Sequence, residues 1–175
     1  MEHAGRDRVE RIELHHIEVP LPSPLFPTWI PGHAVSKLNS TLLVVKTREG
    51  LVGHATGPAF ERERSGLGDF IGPFLMGMDP FDVDGARERL RQASYLGWRN
   101  NWMDVAFWDL AAQERGLPVH RLLAERLGAA KDVPPPDSIR SFASFQELRP
   151  EPARAEVIER ALRVGFRGVK IGVHD

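Results

Sequence analysis

Lys170 and His174 sit on the same side of the last extended segment, Phe166–His174, FRGVKIGVH. Alternation along a strand puts Lys170, Gly172 and His174 on one face and Val169, Ile171 and Val173 on the other. Lysine and histidine are residue types that meet an anion or move a proton. If the apolar face packs on helices of an α/β barrel, the polar face points inward, near the strand ends where such active sites lie. The plainer alternatives are a solvated strand-end lysine and a polar end-cap histidine. Trp29 and His33 are a second candidate pair, within the proline-rich stretch PLPSPLFPTWIPGHAVSK, and would act as substrate-lid residues. Their alternative is a loop anchored by one buried aromatic.

Other residue types suggest less. Asp104 and Asp109 are five apart on one helix, about 140° around its axis, so they cannot act as one acid/base pair. His15 and His16 are adjacent on a strand and point to opposite faces, which argues against joint metal ligation. Trp98, Trp102 and Trp108 read as core, and Glu61–Arg64 as a solvated helix face. There is no cysteine, which excludes disulfides, thiolate nucleophiles and cysteine zinc sites. There is no phosphate-cradling glycine motif and no nucleophile elbow.

The elements that must position these residues follow from periodicity and punctuation. Val9–Val19 alternates as a strand, and Pro20–Lys37, with five prolines, reads as a long loop. Thr41–Thr47 and Leu51–Thr56 read as a hairpin across the turn Arg48-Glu49-Gly50. A helix is expected over Phe60–Met76, interrupted by glycines. Another starts at Asp79-Pro80-Phe81-Asp82, with Asp79 as cap, and runs to about Ala93. Trp98–Arg115 is a helix apolar most of the way round, hence buried, and Gly116-Leu117-Pro118 stops it. A short helix over Val119–Arg126 follows. Beyond the linker 131–137, KDVPPPD, come a strand over Ile139–Gln146, a helix over Pro150–Val164 and the strand Phe166–His174. That order is one parallel βαβ unit.

The reading is therefore an α+β domain over 1–130, a three-stranded antiparallel sheet plus a helical block. The linker 131–137 follows, and then the start of a (β/α) barrel over 138–175. The 175 residues balance 23 basic against 24 acidic side chains, which gives no footprint for nucleic acid or an anionic membrane. No apolar run is long enough to span a bilayer and the N-terminus has no apolar signal core. A cytoplasmic location is expected.

Three stretches carry a family resemblance. TLLVVKTREGLVGHATG resembles the second and third capping-domain strands of the mandelate racemase and muconate-lactonizing branch of the enolase superfamily. MDVAFWDLAAQERGLPVHRLL resembles that branch's buried helix and the G-x-P-x-x-x-L-L after it. GFRGVKIGVH resembles its second barrel strand, which carries a Lys-x-Lys pattern. The resemblance implies a capping domain that supplies specificity loops and a barrel that supplies catalysis. It implies Mg2+ held by carboxylates on later barrel strands, and abstraction of the proton next to a substrate carboxylate. A hydroxy acid or sugar acid would be the substrate, with racemase, dehydratase or cycloisomerase chemistry. Lys170 matches the first lysine, the electrostatic partner of the substrate carboxylate. Gly172 stands where the second lysine is commonly the base, so a lysine base on this strand is not expected. The metal ligands fall beyond Asp175. The competing expectation is a non-catalytic, truncated or split fragment, inactive alone, that associates with a complementing chain or with copies of itself.

Overall fold

A computed structural model describes residues 7–27, 30, 32–58, 69, 71–95, 100–128, 138–145 and 153–171. Two compact units emerge: residues 1–18 with 39–135, and residues 19–38 with 136–175.

Strands β1 (Val9–Leu25), β2 (Val35–Thr47) and β3 (Val52–Pro58) form a three-stranded antiparallel sheet in the order β1-β2-β3. The β2–β3 register pairs Val45 with Gly53 and Leu43 with Ala55. The run Thr41–Thr47 is β-branched and apolar, and Leu43 and Val45 are fully buried. The turn between the two strands is pinned by buried Asp7. Its Oδ1 accepts the N–H groups of Arg8 (2.9 Å) and Glu49 (3.0 Å).

Strand β1 departs from the expected loop. It continues through Pro20, Pro22 and Pro24 to Leu25, and β2 already begins at Val35. Proline's fixed φ suits extended backbone, and its missing N–H harms a strand only on the side that bond would face. Alternate spacing puts all three missing donors on the same side, so Leu21, Ser23 and Leu25 keep theirs on the other.

The helices of this unit are α1 (Gly72–Leu75), α2 (Val83–Ser94), α3 (Asp104–Glu114) and α4 (Val119–Arg126). Of the helix expected over Phe60–Met76, only Gly72–Leu75 is α-helical among the described residues; 59–68 lie outside them. The start of α2 lies three residues later than expected. Asp79 Oδ1 accepts from Phe81 N (2.9 Å) and shapes a turn, while Asp82 Oδ1 accepts from Gly85 N (2.9 Å) and is the cap. Pro80 therefore sits in the lead-in turn, not at the first helical position.

Helix α3 is preceded by a 3-10 turn, Asn101–Met103, and packs across β3 and against α2. Phe107 and Leu110 are fully buried, whereas Val105 is 51% exposed, so the helix is not buried all round. Trp102 and Trp108 pack against the core; Trp98 lies outside the described residues. The helix comes unusually close to β3. A β-carbon on Gly53 would meet the Ala106 carbonyl and Leu110 Cγ, and one on Gly57 would meet the Trp102 ring. Gly116, at φ 62°, ends α3 in the left-handed conformation, and Leu117 N–H returns to Ala112 O (2.9 Å).

In the other unit, β4 (Ala143–Phe145), α5 (Ala153–Arg163) and β5 (Val169–Ile171) form the expected βαβ arrangement, with β4 and β5 parallel. Both strands are shorter than the sequence suggests. Residues 139–142 carry no strand, and 146 and 172–175 lie outside the described residues. Ala161 is the buried anchor of α5, and its carbonyl accepts from Phe166 N (3.1 Å). Ile139, Phe142, Leu162 and Val164 remain largely exposed.

Candidate functional site

The parallel register of β4 and β5 fixes the candidate site. Ala143 aligns with Val169, Ser144 with Lys170 and Phe145 with Ile171. Aligned residues in neighbouring strands share a face. Ala143, Phe145 and Val169 are half-buried, while Ser144 and Lys170 are exposed. Lys170 is exposed, and so is Ile171, on the face that the alternation assigns to packing. Gly172 and His174, expected on the same face, lie outside the described residues, as does Trp29. His33 is exposed, and its backbone N–H donates to Ile30 O (3.2 Å). Ser144 was not legible as a candidate, because the register that places it beside Lys170 spans a helix and two loops.

Other polar clusters are internally satisfied. A cleft of about 660 Å³ between α2 and the start of α3 is lined by Asp84, Arg87, Glu88, Arg91, Asn100 and Asp104. Its charges are paired: Arg91 with Glu88 (2.6 Å), Arg87 with Asp104 (3.5 Å), and Asp84 with Arg126 from α4. The Arg91 guanidinium holds the Glu88 carboxyl down at about 2. Burial pushes the Asp104 carboxyl up, against the opposing pull of Arg87. On the sheet, Glu13 is bracketed by Lys46 (2.6 Å), Arg11 (3.0 Å) and His15 (3.1 Å); the hydrogen bond from Lys46 is the main cause of its lowered pKa. Asp104 and Asp109 have separate partners. Asp109 Oδ2 accepts the backbone N–H of His54 at 3.1 Å.

Comparison with known proteins places this architecture. Residues 11–124 match the family described as mandelate racemase / muconate lactonizing enzyme, N-terminal domain. The chain belongs to this family. It is an N-terminal domain of the enolase superfamily's mandelate racemase and muconate lactonizing branch, followed by a first parallel strand pair. Among its relatives, the cis-3-hydroxy-L-proline dehydratase of Roseibium aggregatum is 31% identical over 136 residues, 71% of this chain and 35% of the relative. The L-talarate/galactarate dehydratase of Salmonella typhimurium is 27% identical over 141 residues, 72% of this chain and 34% of the relative. The dipeptide epimerase of Enterococcus faecalis, solved with Mg and the dipeptide L-Leu-L-Tyr, shares the fold. Its TM-score is 0.75 at 17% identity, covering 96% of this chain and 46% of that one. The chain thus spans about a third of the length of these relatives.

The family's metal can be tested against this chain. Mg2+ takes oxygen ligands, with carboxylates supplying the protein's share. Among the described residues, no three His, Cys, Asp or Glu side chains come together to hold an ion. The described residues do not fit the metal. Nor, among the described residues, is any helix long and apolar enough to cross a membrane.

Proposed function

We propose that this chain is the N-terminal part of a Mg2+-dependent enolase-superfamily enzyme of racemase, dehydratase or cycloisomerase type. The enzyme removes the proton α to the carboxylate of a hydroxy acid or sugar acid. The supporting observation is the family match over 11–124, continued by a parallel βαβ unit whose open face carries Lys170. An ammonium beside the substrate carboxylate favours the extra negative charge that develops when the α-proton leaves. Gly172 has no side chain to take that proton, so the base lies elsewhere. Trp29, His33 and His174 are the proposed substrate-facing residues. The organisation proposed with this reading is a capping domain over 1–130, a linker over 131–137 and the start of the barrel over 138–175.

Exchange of the α-proton for deuterium in D2O tests this reading. Hydroxy and sugar acids would be followed by NMR, with Mg2+ and the chain joined to the barrel strands its relatives carry. Exchange into at least one acid is expected, with a drop of about 10²–10³ in rate for Lys170→Met. A folded protein that exchanges none of them overturns the reading.

A second reading is favoured by the exposure of Ile139, Phe142, Leu162 and Val164. Apolar residues left open on a βαβ unit mark a surface that another polypeptide covers. On that reading the chain acts as a capping or interaction module with a complementing chain or a copy of itself. Light scattering on the 175-residue chain is expected to reveal concentration-dependent association; a compact monomer at all concentrations contradicts it.

A further inference from the structure

We propose that Ser40 and Thr41 are positioning residues: their hydroxyls fix the root of the β1–β2 ribbon that carries His33. This inference rests on the reading of His33 as substrate-facing and adds the residues that hold its strand in place. The division between the two compact units crosses both strands of the ribbon, between Glu18 and Val19 in β1 and between Leu38 and Asn39 in β2. Side chains on either side of that line have little packing of their own. His15–Pro20 in β1 and Ser36–Asn39 in β2 are exposed, and full burial in β2 begins at Thr41. Ser40 and Thr41 are thus the last fixed points of β2 before the ribbon.

Both hydroxyls donate to the end of β3. Ser40 Oγ bonds Gly57 O (3.2 Å) and Thr41 Oγ1 bonds Pro58 O (3.1 Å). The backbone ladder does not duplicate the second bond. Thr47 N–H donates to Leu51 O (3.0 Å), and bonded pairs of an antiparallel ladder recur at every second residue. In the observed register those are Val45–Gly53, Leu43–Ala55 and Thr41–Gly57, so Ser40–Pro58 is a non-bonded pair. The Val52 carbonyl and the His54 N–H, of the same parity as Pro58, accordingly turn away from β2 to meet α3. Pro58 therefore has no backbone bond to β2, and the Thr41 hydroxyl supplies the tie. Successive side chains leave a strand on opposite faces, so the two hydroxyls grip β3 from both sides of the sheet. The other end of the grip is firm, because the Trp102 ring fills the space over Gly57.

The test compares Thr41→Val, which keeps the shape and removes the hydroxyl, with Thr41→Ser, which keeps the hydroxyl. Circular dichroism of both should match the parent. In the isotopically labelled 175-residue chain, nitrogen-15 relaxation should show lower order parameters at Ser36–Asn39 in Thr41→Val than in the parent or Thr41→Ser, with Val45 and Ala55 unchanged. Equal order parameters at Ser36–Asn39 in all three proteins overturn the proposal. The second readout is α-proton exchange by the chain joined to its relatives' barrel strands. Thr41→Val should raise KM about tenfold and leave kcat within about twofold, and Thr41→Ser should restore KM. An unchanged KM in Thr41→Val, or a KM that Thr41→Ser fails to restore, overturns the positioning role while the enzymatic reading stands. A folded parent that exchanges no acid overturns the enzymatic reading, and the positioning role with it.

Discussion

The ring of Trp102 lies directly on the backbone of Gly57, in the space a side chain at that position would occupy. Four residues earlier, Gly53 meets α3 in the same way. Glycine weakens a strand by its freedom when unfolded, so replacing it with alanine in open space would stabilise. Here the sterics outweigh that gain. Gly57→Ala is expected to destabilise by about 1–3 kcal/mol through overpacking. Gly57→Ala combined with Trp102→Leu should recover part of the loss, because the two positions share one space. Urea denaturation of the single and double variants measures both.

Asp109 and Gln113, one turn apart on α3, both reach the outer side of β3. Asp109 accepts from His54 N (3.1 Å), and Gln113 Nε2 donates to Val52 O (2.8 Å). Asp109→Ala should cost about 1.5–3 kcal/mol as a charge-assisted bond, and Gln113→Ala about 0.5–1.5 kcal/mol. Hydrogen exchange gives the more specific readout. The His54 amide should lose protection in Asp109→Ala and keep it in Gln113→Ala.

The cap of α2 separates two aspartates that look equivalent in the sequence. Asp82→Ala removes the bond to Gly85 N and should lower stability by about 1 kcal/mol. Asp79→Ala removes only the bond to Phe81 N in the preceding turn and should cost less. Thermal denaturation that ranks Asp79→Ala above Asp82→Ala in cost would contradict the assignment.

Two carboxyl groups in the same cleft should respond to acid in opposite directions. The folded pKa of Glu88 is lowered, to about 2, so its contribution is complete above the ordinary glutamate range and is lost as pH falls toward 2. Asp104 is raised by burial, so the folded state takes up its proton first. Stability from that group therefore falls as pH rises from the ordinary aspartate value through the raised one. Asp104→Asn should flatten that part of the stability–pH profile and raise Tm at neutral pH, despite losing the pair with Arg87. A lower Tm for Asp104→Asn at pH 7 would show that the ion pair outweighs desolvation.

Much of the fold was legible because its signals are local. The helix Val119–Arg126 was readable end to end, since Gly116 and Pro118 punctuate its start. The β2–β3 hairpin followed from a β-branched run and a glycine turn, and the βαβ unit from its spacing. What was not legible depends on context. Three prolines read as a loop until their period of two is matched to a strand. Asp79 and Asp82 are both good caps, and only the bond to Gly85 N decides between them. At the candidate site, Lys170 was visible from alternation within its own strand. Ser144 was not, because strand register is set by the intervening helix and by packing, not by either strand alone.

The hold of α3 on β3 also bears on behaviour in concentrated solution. A strand from a second molecule can extend a sheet only where backbone donors and acceptors are vacant. The Val52 carbonyl and the His54 N–H are already taken by the chain's own helix. Asp109 and Gln113 therefore act as wardens against intermolecular zippering. Losing them would open a nucleation point for fibrils in a protein that still folds, a liability that a melting curve at low concentration would miss.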